Sequence, residues 1–403
     1  MNADPDRWHG RPCWAEIGLD AIAHNVRLLA ARAAPARLYA IVKANAYGHG
    51  AVPVAGAALE AGAAGLGVVC VDEGEELRLG GIDAPVLVLG YTEPSEAEHI
   101  IELRLTPVVG SMQVALALSG SASARGVIQR IHIELESGLN RHGLPIDELV
   151  AFAERVRALP GIGIEGLFTH FAAAEEGDAA FTRSQFDALM EASARLPWIP
   201  VRHCSASASV LNAPGMALDI VRAGLAIYGL EPAPGIAGDL ELRPALSLKA
   251  RVARVIDVEP GGTVGYGRTW TAARQSKIAL IMCGYADGYR RALSNKASVL
   301  IRGRRAPIAG RVAMDMCMAD VTGIPGVSEG DEAVLIGEQD GVRQDGGRID
   351  ADELAELADT ISWEILAGIS ARVPRLYRRG SEIVATTDLS HRQPEPEAAT
   401  RAV

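Results

Sequence analysis

Between residue 39 and about residue 230, short apolar runs recur along the chain: YAIVKANA, GLGVVC, APVLVLG, TPVVG, RIHIELES, IEGLFTH, VRHCSAS and DIVRAGLAIYG. Ala/Leu/Glu-rich stretches of helical period separate them. Eight strands alternating with helices predict an α/β architecture, a closed parallel (β/α)8 TIM-like barrel at the N-terminal end. After ELRPALSLKARVARVIDVEPGGTV the pattern changes. Strands bounded by Gly, Pro and Asp follow (SKIALIMCG, ASVLIRG, RAPIAGRV, DEAVLIG), and helical period returns only in DADELAELADTISWEIL, which predicts a mainly β second domain. The expected boundaries are 1–237 for the barrel, with the stretch at about 12–18 able to join the β domain, 238–385 for the β domain, and 386–403 for a flexible tail without apolar periodicity.

With 403 residues and 49% apolar composition the chain can bury a large core, consistent with two domains. A formal charge of −11 and a pI near 5.4 exclude a binder of nucleic-acid backbones, which needs clustered Lys and Arg. MNADPDRWHGRPCWAEIG lacks a basic segment followed by an apolar one, and no uncharged run is long enough to span a bilayer, so a cytoplasmic protein without membrane contact is expected. Cys13, Cys70, Cys204, Cys283 and Cys317 are scattered and form no CxxC pair. They are read as mostly buried small hydrophobes rather than a disulfide framework or a metal site.

In a (β/α)8 barrel the reacting groups stand where strands run into the βα loops. Here the first strand ends in Lys43, the fifth runs through Glu134 and Glu136 toward Arg141, the sixth ends in His170, the seventh in Ser205 and Ser207, and the eighth contains Arg222. Any one of these can be a solvated strand end; six together point to a site. Lys43 follows the apolar run YAIV, so its amine is expected to be partly desolvated and its pKa brought below the usual value of about 10.4. A neutral amine condenses with an aldehyde. Pyridoxal 5'-phosphate needs that amine, a phosphate cradle and a partner for its ring nitrogen. Tyr47, Ser207 and the backbone around Gly224 and Leu225 are candidates for the phosphate, because loops after the seventh and eighth strands commonly bind one. Arg222 is the candidate ring-nitrogen partner. A guanidinium only donates, so the nitrogen it bonds stays unprotonated and the cofactor is a weak electron sink, which favours simple proton removal and return. A second base is expected from GGTVGYGRTWTA, where glycines flank Tyr266. A phenol with a pKa of about 10 needs nearby donors or cations, and His170 and Arg222 are the ones available; otherwise Tyr266 is a turn aromatic.

VKANAYGHG (42–50), GYGRTWTA (265–272), CGYADGYRRAL (283–293) and AMDMCMADV (313–321) resemble the corresponding motifs of alanine racemases, and the resemblance extends from about residue 11 to residue 380. It implies an isomerase with a barrel and a β domain, a homodimer with shared active sites, and interconversion of L- and D-alanine to supply peptidoglycan. Carried onto this chain, it gives Lys43 the cofactor and the proton on one face, and Tyr266 of the partner subunit the proton on the other. Arg222 matches the pyridine-nitrogen partner, and His170 joins the cofactor set. Arg141 matches the arginine near the cofactor's phenolic oxygen and the substrate carboxylate. Met314 matches a residue whose amide meets that carboxylate, with Asp315 beside it in support, and Tyr285 matches an aromatic at the substrate entrance. Three positions depart from the pattern. Glu134 stands where many relatives have a carbamylated lysine, and is expected to hold Arg141 directly through a charge-assisted bond. Trp363 replaces a phosphate-binding tyrosine, and Ala206 an asparagine before the phosphate serine.

Decarboxylases of basic amino acids share the barrel and the lysine but are expected to face the ring nitrogen with an acid, which Arg222 is not. A non-catalytic carrier of the cofactor would need no second domain with Tyr266. No GxGxxG after a strand and no GxxxxGK[ST] supports a nucleotide enzyme. Tyr285 and Trp363 leave little room beyond a methyl side chain, although serine is only one hydroxyl larger.

Overall fold

A computed structural model describes residues 10–176, 179–339 and 347–387. They divide into two compact units, one of residues 19–245 and one combining residues up to 18 with those from 246 onward.

The first unit begins with a helix, Leu19–Ala33, whose buried positions Leu19, Ile22, Val26, Leu29 and Ala33 recur at helical spacing. Eight parallel strands follow, numbered after strand β1 (Cys13–Gly18) of the other unit. These are β2 (Arg37–Ile41), β3 (Gly65–Val68), β4 (Val86–Val88), β5 (Leu105–Pro107), β6 (Gln129–Glu134), β7 (Ile162–Phe168), β8 (Val201–His203) and β9 (Ile220–Ala223). Their order is β5-β4-β3-β2-β9 in one sheet and β6-β7-β8 in another. Parallel bridges Val108↔His132 and Ala206↔Arg222 join the two sheets at both edges and close the barrel. Every residue of β3, β4 and β9 is buried, as expected for strands covered on both faces. The strands coincide with the eight apolar runs of the sequence.

The boundary falls later than expected from the pattern, at Ala245 rather than residue 237. The reason is Asn25, fully buried on the first helix. Its amide donates to the carbonyls of Ile227 (3.1 Å) and Arg243 (2.8 Å) and accepts the Arg243 N–H (2.8 Å), stitching residues 238–245 to the barrel. Asn25→Ala leaves those buried groups unpaired and should cost about 3 kcal/mol, read as a lower midpoint in urea at unchanged slope.

The second unit is built on β10 (Leu246–Val258), thirteen residues long. Its first half pairs antiparallel with β1 on one side and with Glu332–Glu338 on the other; its second half pairs with Ser276–Ile281. β1 thus belongs to this sheet, where it also runs parallel to Arg375–Arg379. The last described strand, Glu382–Thr387, extends two residues into the stretch expected to be a tail; the remainder of that stretch lies outside the described residues. Asp287 is completely buried here and is met by Arg11 (2.5 Å), Arg372 (2.8 Å) and the Gly284 N–H (2.9 Å). Ligand atoms of Cys13 and Cys283 lie within 4.8 Å of its carboxylate, but that carboxylate is already neutralised by the two arginines. Cys13, Cys204, Cys283 and Cys317 are buried and Cys70 is half-buried, all as free thiols. Among the described residues no helix is long and apolar enough to cross a membrane.

Candidate active site

Several of the residues singled out in the sequence lie at or just past the C-terminal ends of the barrel strands. Lys43 lies two residues beyond β2, Glu134 ends β6, His170 lies two beyond β7, and Ser207 opens a short helix after β8. Arg222 sits inside β9. Lys43 is half-buried. Burial and then the positive charge of Arg141 push its pKa below the ordinary lysine value, while Glu73 opposes them.

Arg222 is 3% exposed, and its guanidinium rests on neutral acceptors. It donates to the Thr169 carbonyl (3.0 Å), His170 Nδ1 (3.0 Å), the Cys204 carbonyl (3.3 Å) and His203 Nδ1, and it lies over the Phe168 ring at 4.9 Å. Burial lowers its pKa to about 10, which still leaves it a cation at neutral pH. Because a guanidinium has no acceptor, these contacts fix the tautomers around it. His170 must carry its proton on Nε2. His203 must do the same, and it donates that proton to His132 Nδ1 at 2.8 Å; His132 in turn points Nε2 at Glu165, 3.6 Å away. Burial, then the charge of Arg222, lowers the pKa of His170 to about 3 and drives that of His203 far down; burial also depresses that of His132. All three imidazoles are therefore neutral when folded. Unfolded, they titrate near the ordinary value of about 6.5, so their contribution is full above that pH and is lost as the pH falls toward 3. Urea unfolding at pH 5.5 should give a lower stability than at pH 7.5.

Sequence reading passed over His132, His203 and Glu165. They stand within the strands RIHIELES, IEGLFTH and VRHCSAS rather than at their ends, and the available signal was a histidine or an acid beside an apolar neighbour. Ser205 is no part of the site: it is fully buried and its hydroxyl donates to the Met216 carbonyl at 3.1 Å. Ser207 Oγ accepts the amides of Gly224 (3.0 Å) and Ala226 (3.2 Å), so the Gly224 N–H is engaged by Ser207 rather than presented to a ligand. Gly224 instead lets the Tyr47 side chain approach the backbone closely. A Cβ there would stand 2.9 Å from the Tyr47 hydroxyl, whose pKa burial raises to about 12. Gly224→Ala should push the Tyr47 hydroxyl aside and raise the dissociation constant for pyridoxal 5'-phosphate about tenfold, measured by titration of the stripped protein.

The expected direct bond between Glu134 and Arg141 is not formed. Arg141 Nη2 stands 3.9 Å from Glu134 Oε1, an ion pair beyond hydrogen-bond reach. Glu134 is 6% exposed and Arg141 52%, so the guanidinium keeps its water while burial pushes the Glu134 carboxyl up. Glu136 shapes the loop instead, accepting the Gly138 N–H and, at 3.4 Å, the Arg141 N–H.

The other candidates belong to the β unit. Tyr266 is 74% exposed on a turn between Gly265 and Gly267, each at a φ of 73°. Tyr285 and Met314 are exposed on neighbouring segments, joined by the Tyr285 N–H to Ala313 (2.9 Å) and the Ala286 N–H to Met314 (2.9 Å). Gly284 permits this approach, since a Cβ there would fall 2.4 Å from the Ala313 carbonyl. Asp315 accepts from Arg372 (2.7 Å), which also holds Asp287, so it ties the 313–316 turn to the interior. Trp363 is half-buried on the helix Ser362–Ala367.

Sequence models of the alanine racemase N-terminal domain and C-terminal domain match residues 17–232 and 245–377. An alanine racemase of Halothermothrix orenii is 43% identical over 373 residues, covering 91% of this chain and 97% of that protein. The alanine racemase of Clostridium difficile 630 superposes with a TM-score of 0.89 at 34% identity, over 94% of this chain and 98% of that one. The Bacillus anthracis alanine racemase with bound L-Ala-P gives 0.87 at 35% identity, over 96% and 100%. With both domains matched in order and nearly the whole length aligned, the chain belongs to the alanine racemase family.

Proposed function

We propose that this protein interconverts L- and D-alanine in the cytoplasm with pyridoxal 5'-phosphate, as a homodimer, and so supplies D-alanine for peptidoglycan. The observation that supports this most strongly is the guanidinium of Arg222 at the barrel mouth, buried on four neutral acceptors and fixed on the same face as Lys43. The residues fit the cofactor: a lysine of lowered pKa, the cradle of Tyr47, Ser207 and Gly224, where a Cβ would meet the Tyr47 hydroxyl, and a donor-only partner for the ring nitrogen. When bound, the cofactor supplies the electron withdrawal that makes the Cα–H of alanine acidic.

The chain's own residues do the rest. Lys43 Nζ moves the proton at the substrate Cα on one face, and Tyr266 of the partner subunit moves it on the other. Tyr266 is exposed on a glycine-flanked turn, as a residue offered to a second copy would be. Arg222 keeps the ring nitrogen an acceptor and so limits side reactions. Arg141 and the Met314 amide take the substrate carboxylate; Glu134 supplies negative charge near Arg141; Tyr285 and Trp363 bound the side-chain pocket, and Trp363 and Leu225 complete the cofactor contacts.

The shared site is tested by mixing Lys43→Ala and Tyr266→Phe proteins, each inactive alone, after mild dissociation. Random reassociation should restore about a quarter of wild-type turnover, because half the dimers then hold one intact site of two. No recovery from a mixture shown to exchange subunits would mean that both bases come from one chain.

A further inference from the structure

The backbone directly after Lys43 takes an unusual course. Ala44, Asn45, Ala46 and Tyr47 have φ of 52°, 53°, 53° and 51°, one full turn of left-handed helix without a glycine. L-residues resist this conformation by roughly 1–2 kcal/mol each, and such backbone persists only where its surroundings hold it. The turn bonds itself through Ala46 N–H to Val42 (2.8 Å) and Gly48 N–H to Ala44 (3.0 Å). At its far end the Asn45 side-chain oxygen accepts the Ala51 N–H at 3.0 Å. Its near end, beside the lysine, depends on another element. Glu73, in the helix Val71–Leu79, accepts the Ala44 N–H on Oε1 at 2.6 Å and the Val69 N–H on Oε2 at 2.8 Å. Val69 directly follows β3, the neighbour of β2 in the barrel. One carboxylate therefore bridges the first residue of the strained turn to the end of the adjacent strand.

We propose that Glu73 is a positioning residue for Lys43: by clamping the left-handed turn to β3, its carboxylate fixes where the Lys43 amine stands. This rests on the reading of Lys43 as a catalytic base. The charge of Glu73 acts in the same place, for it favours the protonated amine while burial and Arg141 disfavour it. Glu73 thus opposes the loss of the lysine's proton, besides aiming the amine. Neither task requires Glu73 to touch substrate or cofactor.

Glu73→Gln separates these roles from mere packing. The amide has the same size, but it can accept only one of the two N–H bonds and carries no charge. In the cofactor-loaded protein, amide hydrogen exchange of the 42–50 segment should speed up at least tenfold while that of β6 stays unchanged. In the same variant kcat should fall about tenfold to a hundredfold with little change in KM, as expected for a misaimed base. The acid limb of kcat/KM should move to lower pH, because the ammonium loses its counter-charge. Glu73→Asp keeps the charge but is one methylene shorter, so the limb should stay in place while protection still falls; this variant decides the matter if Glu73→Gln does not fold. Unchanged protection of 42–50 together with a superimposable pH profile would overturn the proposal. Exchange is read without reference to turnover. Loss of protection in a protein whose wild type makes no D-alanine would uphold the clamp and discard the racemase reading instead.

Discussion

Lys43→Ala should lower racemisation by at least ~10³-fold, the scale lost with a positioned proton-transfer group, and borohydride should no longer attach the cofactor to the chain. The substitution removes an amine that is half-buried at the end of a strand and lies outside the hydrogen-bond network around Arg222. The thermal midpoint should therefore stay within about two degrees of wild type, as for a surface substitution away from the core. Activity and stability should separate cleanly. A variant that retains most of its turnover would remove Lys43 from the chemistry, and one that unfolds would show that the lysine has a structural task the geometry does not reveal.

The second large effect concerns the balance of reactions rather than the rate alone. Arg222→Glu exchanges a donor-only group for one able to carry a proton to the ring nitrogen, which would strengthen the electron sink. D-alanine formation should drop about 10²–10³-fold, comparable to losing a preorganised electrostatic contact, while the fraction of turnovers ending in pyruvate should rise. The same change strips donors from the Thr169 and Cys204 carbonyls, His170 and His203, so a loss of about 2–4 kcal/mol in stability should accompany it. Both products are separated by chromatography of one reaction mixture. Wild-type racemisation with no pyruvate would show that the arginine does not set the course of the reaction.

Much of this was legible in the sequence, and the limits follow a physical line. The eight barrel strands were readable because each is a short apolar run, and Lys43 and His170 stood out as polar residues just past strand ends, with Arg222 inside the last strand. The compact barrel unit runs past residue 238 to Ala245, because the link from Asn25 to Arg243 spans 218 positions and leaves no local trace. The left-handed turn after Lys43 was hidden for the opposite reason: Ala-Asn-Ala-Tyr has no glycine to announce a positive φ, and what holds it comes from Glu73 in another element. His132 and His203 carry no mark in the sequence because they lie within strands, and their task emerges only from the tautomers that Arg222 imposes. The pairing of Glu134 with Arg141 was right in sign, but charge alone does not set a distance, and the exposed guanidinium stays 3.9 Å away.

The most direct test is to incubate the purified protein, loaded with pyridoxal 5'-phosphate, with L-alanine in heavy water and to analyse the alanine by chiral chromatography and mass. Our account predicts that D-alanine accumulates toward an equal mixture with the L form, carrying one deuterium at Cα. Alanine that stays wholly L and unlabelled, or that is consumed to an amine and carbon dioxide, would contradict it.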